Sequence, residues 1–433
     1  MVFCDSGLTE FQGLVTHRLH FYMKNLLFPS IRILLFLIGT VVFAEAADWH
    51  RWRGPDVNGI SKETNWNANW SDDGPKRLWK AKIGTGFSSI TVAEGRAYSM
   101  GNSGRGRGTE KDTIFCFDSV TGKKIWTYSY ESKLDPKYYD GGTSATPTID
   151  GKHLYTLSKD GLLICFEASN GKIVWEKNVG KAIKSKRPQW GYASSPVVSD
   201  NSLFVNVGTY GTCLDKKTGE VIWETGKAAS GYSSFVPYVR GGQNELVLFA
   251  ADEVVGINPK DGKKLWGYPW KTKYGVNSAD PILLGDKVFI SSGYDRGCAL
   301  LKVDGTKATK IWENKNMCNH FNACVLIDGY LYGFSGNTGR GTLRCLEMAT
   351  GEMKWEEKSF GGFGALQAIG KNLLIISNQG ELVVADSNPE TFTEISRAQV
   401  TGPKCWTTPV LSNGRVYCRN SRGDLVCLDL RAK

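Results

Sequence analysis

The sequence predicts an all-β chain folded as an eight-bladed β-propeller of four-stranded antiparallel blades. Three observations carry this. The 433 residues hold 50 Gly and 14 Trp, where average usage would give roughly 30 Gly. Glycine without a collagen-like period marks many tight turns and is penalised inside helices. One phrase recurs, an acidic residue or Asn followed by a turn, Gly and Trp, with Trp spacings of 43 to 49 residues. A second signature, strand, Gly/Asn/Asp turn, strand, lies upstream of each phrase. Four meandering strands per repeat of about 45 residues is the period of a propeller blade.

The N-terminal element reads as a targeting segment. Residues 33–43 are an apolar run of eleven after Lys24 and Arg32, followed by Ala44-Glu-Ala46. That is the layout of a secretory signal peptide, and eleven residues are too few to span a bilayer that needs about 20. Residues 1–46 are therefore expected to be cleaved, with Met23 as an alternative start. The remainder is expected to be exported to the periplasm or another extracytoplasmic space, without a transmembrane anchor. The 41% hydrophobic and 22% charged composition is globular. Residues 1–46 balance three basic against three acidic side chains, so the net charge of +10 belongs to the exported part. Its ordinary reading is spread solubility charge, and its functional one is affinity for an anionic envelope surface. Nucleic-acid binding is disfavoured by the compartment, and a monomer is expected.

Residues 47–75, with Trp49, Trp52, Trp66 and Trp70, form an arm expected to lie against the ring. The propeller follows over 76–433. The phrase reads Asp118-Ser-Val-Thr-Gly-Lys-Lys-Ile-Trp126, then ends at Trp175, Trp223, Trp266 and Trp355, with a looser copy at Trp312. The Asp or Asn closes an Asx turn, the Gly takes positive φ, and the Trp on the returning strand fills the wedge between sheets. The seventh repeat, Asp386 to Ile395, has Ile in that place. The eighth stops at Lys433 before its Trp strand, while Lys76 to Ile83 carries Trp79 with no repeat before it. The N-terminal strand is thus expected to close the ring and remove an exposed edge.

These phrases resemble the pyrroloquinoline-quinone-type propeller repeat with its tryptophan-docking motif, over essentially all of 76–433. More narrowly, Trp52-Arg-Gly-Pro-Asp-Val-Asn-Gly59, Ser292 to Ala299 and Asn314-Lys-Asn-Met317 resemble exported bacterial propellers of the quinoprotein-like, outer-membrane-assembly-factor-like group. The resemblance implies eight blades. It leaves two activities in view, since one fold hosts many functions. One is a protein- or ligand-binding scaffold of the cell envelope. The other is a quinone-dependent dehydrogenase of alcohols or sugars, with PQQ and Ca²⁺ on the ring axis. Family enzymes carry adjacent cysteines or C-x-x-C-H, both absent here, and have longer insertions. The scaffold is the favoured reading, without cofactor, metal site or catalytic residue.

The loops entering the inner strands gather at one end of the channel. All eight contain an aromatic residue, beside amides, hydroxyls or charges, a mixture that suits a small ligand or a peptide. Trp190, Tyr192, Tyr232, Asn277, His320, Asn322 and Trp406 are the candidate binding residues; the plainer reading is that they plug the channel. His320 has no second His at metal spacing, so its ordinary role is structural. Gly84-Thr-Gly86 and the Gly104–Gly108 run open no helix and read as turns. Lys184-Ser-Lys-Arg187 reads as solvated loop charge that could steer an acidic partner. Cys116, Cys165, Cys213, Cys345 and Cys427 recur two residues before the acidic position and are expected to be buried and unpaired. Cys318 and Cys324 flank the His320 loop, and a bridge between them is left open.

Overall fold

The recurring phrase folds as its chemistry requires. Asp118 Oδ1 accepts the Val120 and Thr121 backbone N–H groups at 3.1 and 2.7 Å, and Gly122 N–H returns to Asp118 O at 2.9 Å with φ of 70°. The hairpin so closed joins Lys111–Asp118 to Lys124–Glu131. Asp215 repeats it with Lys217 and Thr218. In this computed structural model, residues 48–71, 73–104, 110–337 and 340–432 are described. The leader reading over 1–46 and the Arg105–Gly108 part of the glycine run lie outside them.

Eight antiparallel sheets follow in chain order. Blade 1 runs from Thr91–Ala93 to Lys124–Glu131, blade 2 from Thr148–Asp150 to Ile173–Asn178, and blade 3 from Val197–Ser199 to Val221–Glu224. Blade 4 begins at Val236–Arg240, blade 5 at Ile282–Leu284, blade 6 at Val325–Ile327 and blade 7 at Gly364–Ile369. Blade 8 has three strands from the C-terminus, the last being Asp424–Asp429. Its outer strand is Arg77–Lys82, with Trp79 opposite Cys427. The N-terminal strand therefore closes the ring. Blade 7 is not four-stranded: Ile60–Ser61 of the arm adds a fifth strand, parallel to Gly364–Ile369.

The core is eight apolar wedges, one between each pair of neighbouring blades. Each is ordered by a row across strands two to four, such as Tyr98–Cys116–Trp126 and Tyr155–Cys165–Trp175. The Trp indole N–H reaches into the next blade and donates to the carbonyl just after the Asp, Glu or Asn that opens that blade's phrase. Trp79 takes Ser119 O, Trp126 Ala168 O, Trp175 Lys216 O, Trp223 Pro259 O and Trp312 Met348 O, at 2.9–3.1 Å. Trp355 takes Asn388 O, although blade 7 itself lacks a docking Trp. Tyr98, Tyr155 and Tyr417 hydroxyls donate to the same carbonyls as Trp126, Trp175 and Trp79. The phrase glycine has a second reason to be glycine: a Cβ on Gly122 would sit 2.5 Å from the Trp79 ring.

Trp266 departs from the series. The phrase beginning at Asp304 pairs to its end, Asp304 opposite Lys307, and forms a two-residue turn with no Asx loop. The carbonyl after Asp304, Gly305 O, accepts from Arg240 Nη2 at 3.4 Å instead, and the Trp266 indole donates to Glu245 Oε2 of its own blade at 2.9 Å. Trp266 is nonetheless buried in the wedge between blades 4 and 5. The repeat cysteines are buried and unpaired, and so are Cys318 and Cys324.

The arm binds from blade to blade. Trp49 bridges Val92 of blade 1, and His50 O accepts Ile149 N of blade 2. Arg53 donates to Cys324 O beside blade 6, and Glu63 accepts the Asn413 and Gly414 N–H groups of blade 8. Passing from blades 1 and 2 to blade 6, it crosses the channel.

Candidate functional site

Where the inner strands begin, their first side chains form a girdle around the channel. Ser89 N donates to Thr146 Oγ1, Thr146 N to Ser195 Oγ, Ser195 N to Ser234 Oγ and Ser234 N to Asp280 Oδ1, all at 2.8–3.0 Å. Thr146, Ser195 and Asp280 each precede a proline, which holds them extended. Asp280 ends the series. Its other oxygen accepts the Trp52 indole N–H at 2.7 Å, and Arg53 Nε lies 4.0 Å away. Burial raises the Asp280 carboxyl, and Arg53 opposes that rise.

Above the girdle stands a collar of rings in continuous contact. Tyr139 meets Phe87, which stacks on Trp406 at 5.3 Å between centroids; Trp406 stacks on Phe321 at 5.3 Å, and Phe321 on His320 at 4.1 Å. His320 then meets Tyr294, Tyr294 Tyr274, Tyr274 Trp190, and Trp190 Tyr232. Girdle and collar enclose a cavity of about 540 Å³, with Trp52 of the arm in its wall. Tyr138, Tyr274 and Tyr294 line it with φ of 66°, 71° and 55°. Bulky residues rarely adopt that left-handed backbone, and such strain gathers at ligand sites.

Five of the seven residues singled out from the sequence come together here: Trp190, Tyr232, His320, Asn322 and Trp406. Trp190 is half-buried, and its backbone N–H meets the Tyr232 hydroxyl at 3.4 Å. Trp406 is buried between Phe87 and Phe321, its indole on Asn378 Oδ1 and Lys404 over its ring. Asn322 donates to Trp406 O. His320 is 4% exposed, burial lowers its pKa to about 4, and its buried Nδ1 has no hydrogen-bond partner among the described residues.

Tyr192 and Asn277 lie outside the cavity lining. Tyr192 packs in the wedge between blades 2 and 3 against Gly180. Asn277 spends its amide on Ala250 O, Ala251 O and Trp270 O and accepts from Ser292. Arg187, the end of the basic cluster, is held by Asp135 and Asp160. Sequence reasoning missed Tyr294, which sits on a loop within blade 5 rather than between blades. It also missed Trp52 with Asp280; the one available signal was an acidic residue where other repeats place Ser or Thr before proline.

A family model described as outer membrane protein assembly factor BamB matches residues 110–357. BamB of Escherichia coli (strain K12) is 29% identical over 246 residues, 51% of this chain and 61% of that protein. The Salmonella typhimurium protein is 29% identical over 240 residues, 50% and 59% of the two chains. The match thus spans about three-fifths of these relatives' length. Among solved structures, BamB from Moraxella catarrhalis superposes with a TM-score of 0.60 at 14% identity, over 82% of this chain and 100% of that one. Quinohemoprotein alcohol dehydrogenase from Comamonas testosteroni gives 0.59 at 13%, over 89% and 81%. Likeness at that identity shows the fold alone. The family match runs through the docking phrases from Asp118 to Trp355, over more than half of the chain: the chain belongs to the family of the outer membrane protein assembly factor BamB.

Proposed function

We propose that this propeller is an extracytoplasmic binding scaffold in the assembly of outer membrane proteins, and that it engages its partner through the collared end of the channel. The observation that carries the reading is the collar itself: nine aromatic or imidazole rings from seven inter-blade loops and one blade-5 loop, converging on one cavity. Rings beside neutral hydroxyls are what recognition sites use. Family membership supplies the assembly context, and the net charge of +10 favours contact with an anionic envelope surface.

The alternative, a quinone-dependent dehydrogenase, fits the cavity poorly. Ca²⁺ takes six to eight oxygen ligands. The one carboxylate in the lining, Asp280, is already taken by Ser234 N–H and the Trp52 indole. Among the described residues no group of three or more His, Cys, Asp or Glu could hold a metal ion. A tricarboxylate quinone would also meet a single lining cation, Lys137. We derive no chemistry through that pair.

The test replaces Trp190 and Tyr274, which carry no wedge packing, by Ala together in cells lacking the native copy. The folded fraction of outer membrane β-barrels should fall while the variant accumulates normally. Unchanged barrel assembly by a stably folded variant removes the collar from the function.

A further inference from the structure

The free hydrogen-bonding groups of the cavity are specific about what they can receive. Thr146, Ser195 and Ser234 each accept a backbone N–H from the preceding blade. Among the described residues none of the three donates a hydrogen bond, so three hydroxyl protons line one arc of the wall. All three side chains are at least nine-tenths buried. Across the cavity the ring of His320 lines the wall, neutral at pH 7. Each girdle hydroxyl can thus donate its proton to an occupant and keeps one lone pair to accept with, so groups that both donate and accept match this wall best.

Three ligand chemistries can be compared on that wall. A charged ligand would lose its water without gaining a free counter-charge, because the two charged side chains of the lining are engaged, Lys137 with Asp135 at 3.5 Å and Asp280 with Ser234 N–H and the Trp52 indole. An extended peptide presents N–H donors and C=O acceptors in a fixed alternation that cannot rotate to suit hydroxyls which both donate and accept. It also needs a groove open at both ends, whereas here the arm crosses the channel with Trp52 in the cavity wall. A sugar hydroxyl donates or accepts by rotating, and a pyranose ring offers apolar C–H faces to flat aromatic surfaces. The volume of about 540 Å³ suits about one or two such rings.

We propose that the cavity is a binding site for a neutral saccharide, its hydroxyls on Thr146, Ser195, Ser234 and His320 and its ring faces against Trp190 and Tyr274. This rests on the reading of the collared end as a binding face and names the chemistry it takes.

The full chain would be titrated with cellobiose, maltose and N,N′-diacetylchitobiose, followed by tryptophan fluorescence and calorimetry. Glucuronate and a blocked neutral tripeptide serve as comparisons. At least one disaccharide should saturate the protein. Tyr274→Ala, at an exposed and strained position, should weaken it about tenfold without lowering the melting temperature. Thr146→Val should weaken it as well, and Thr146→Ser should restore it. No disaccharide bound at millimolar concentration, or glucuronate or the tripeptide bound in preference, overturns the proposal. If the sugar fails yet barrel assembly still falls in the Trp190→Ala/Tyr274→Ala cells, the scaffold reading stands and only the ligand class is lost. If the sugar binds and assembly is unaffected, the reverse holds.

Discussion

His320 is a single side chain whose burial writes a pH signature into the mildly acidic range. Unfolded, its imidazole takes up a proton near 6.5; folded, burial delays this to about 4. Between those values the unfolded state binds more protons. Stability is therefore full above pH 6.5 and is lost as pH falls toward 4, by about 3 kcal/mol. Urea unfolding from pH 7.5 to 4 should show that slope, and His320→Gln should flatten it. A slope unchanged by the substitution would assign the acid sensitivity elsewhere. Gly122 is the complementary case. Left-handed φ and the Trp79 ring 2.5 Å from any added Cβ mean that Gly122→Ala should cost about 2 kcal/mol or more, read as a lower unfolding midpoint. The sequence disclosed the first of these constraints through the turn type. The second was hidden, because the ring that crowds Gly122 belongs to a strand some forty positions earlier.

At the scale of the blade, the docking phrase is one device used in two halves. Its Trp fills the wedge it faces, while its turn presents a carbonyl to the Trp of the blade before. Trp126→Ala should accordingly cost about 3–5 kcal/mol in chemical denaturation, as cavity and lost hydrogen bond combine. A cost below about 1 kcal/mol would mean that the wedge closes around the deletion. Strand order, hairpins and wedge residues were legible because the period-two pattern and the turn chemistry agree at every repeat. Trp266 was not, because its partner depends on the next blade's turn, and that turn at Asp304 had lost its Asx geometry. The collar was legible in part. Loops between blades show their aromatics in sequence, so Trp190, Tyr232 and His320 could be picked out. Tyr294 and Trp52 reach the same cavity from a loop within a blade and from the arm, a coincidence of tertiary placement that no local pattern records. Tyr192 and Asn277 share the loop composition, but one turns into a wedge and the other is spent on the carbonyls of Trp270 and of the Ala250–Ala251 turn within blade 4.

The whole ring is held at its seam by more than strand pairing. Arg419 of blade 8 is fully buried, with no acidic partner among the described residues. It donates instead to Ser88 O, Met100 O and Gly84 O at 2.7–3.1 Å, all in or beside blade 1. Arg419→Met keeps the volume but orphans those carbonyls, and should cost about 3 kcal/mol while raising the susceptibility of the 77–82 strand to proteolysis. Equal protection of that strand in the variant would show that the ladder with Asp424–Asp429 suffices. The same seam governs timing. Trp79 and Cys427 stand 348 positions apart yet face each other, so the contact that completes the molecule is among the most remote the chain can make. Loop closure of that length is entropically slow and gives nothing back until both ends arrive. A ribosome or a translocation pore releasing this chain from its N-terminus thus handles seven blades' worth of polypeptide whose circle cannot yet close. The clasp acts as a checkpoint on completeness: a chain truncated anywhere before its last strand keeps an open edge and stays visible to proteases and chaperones.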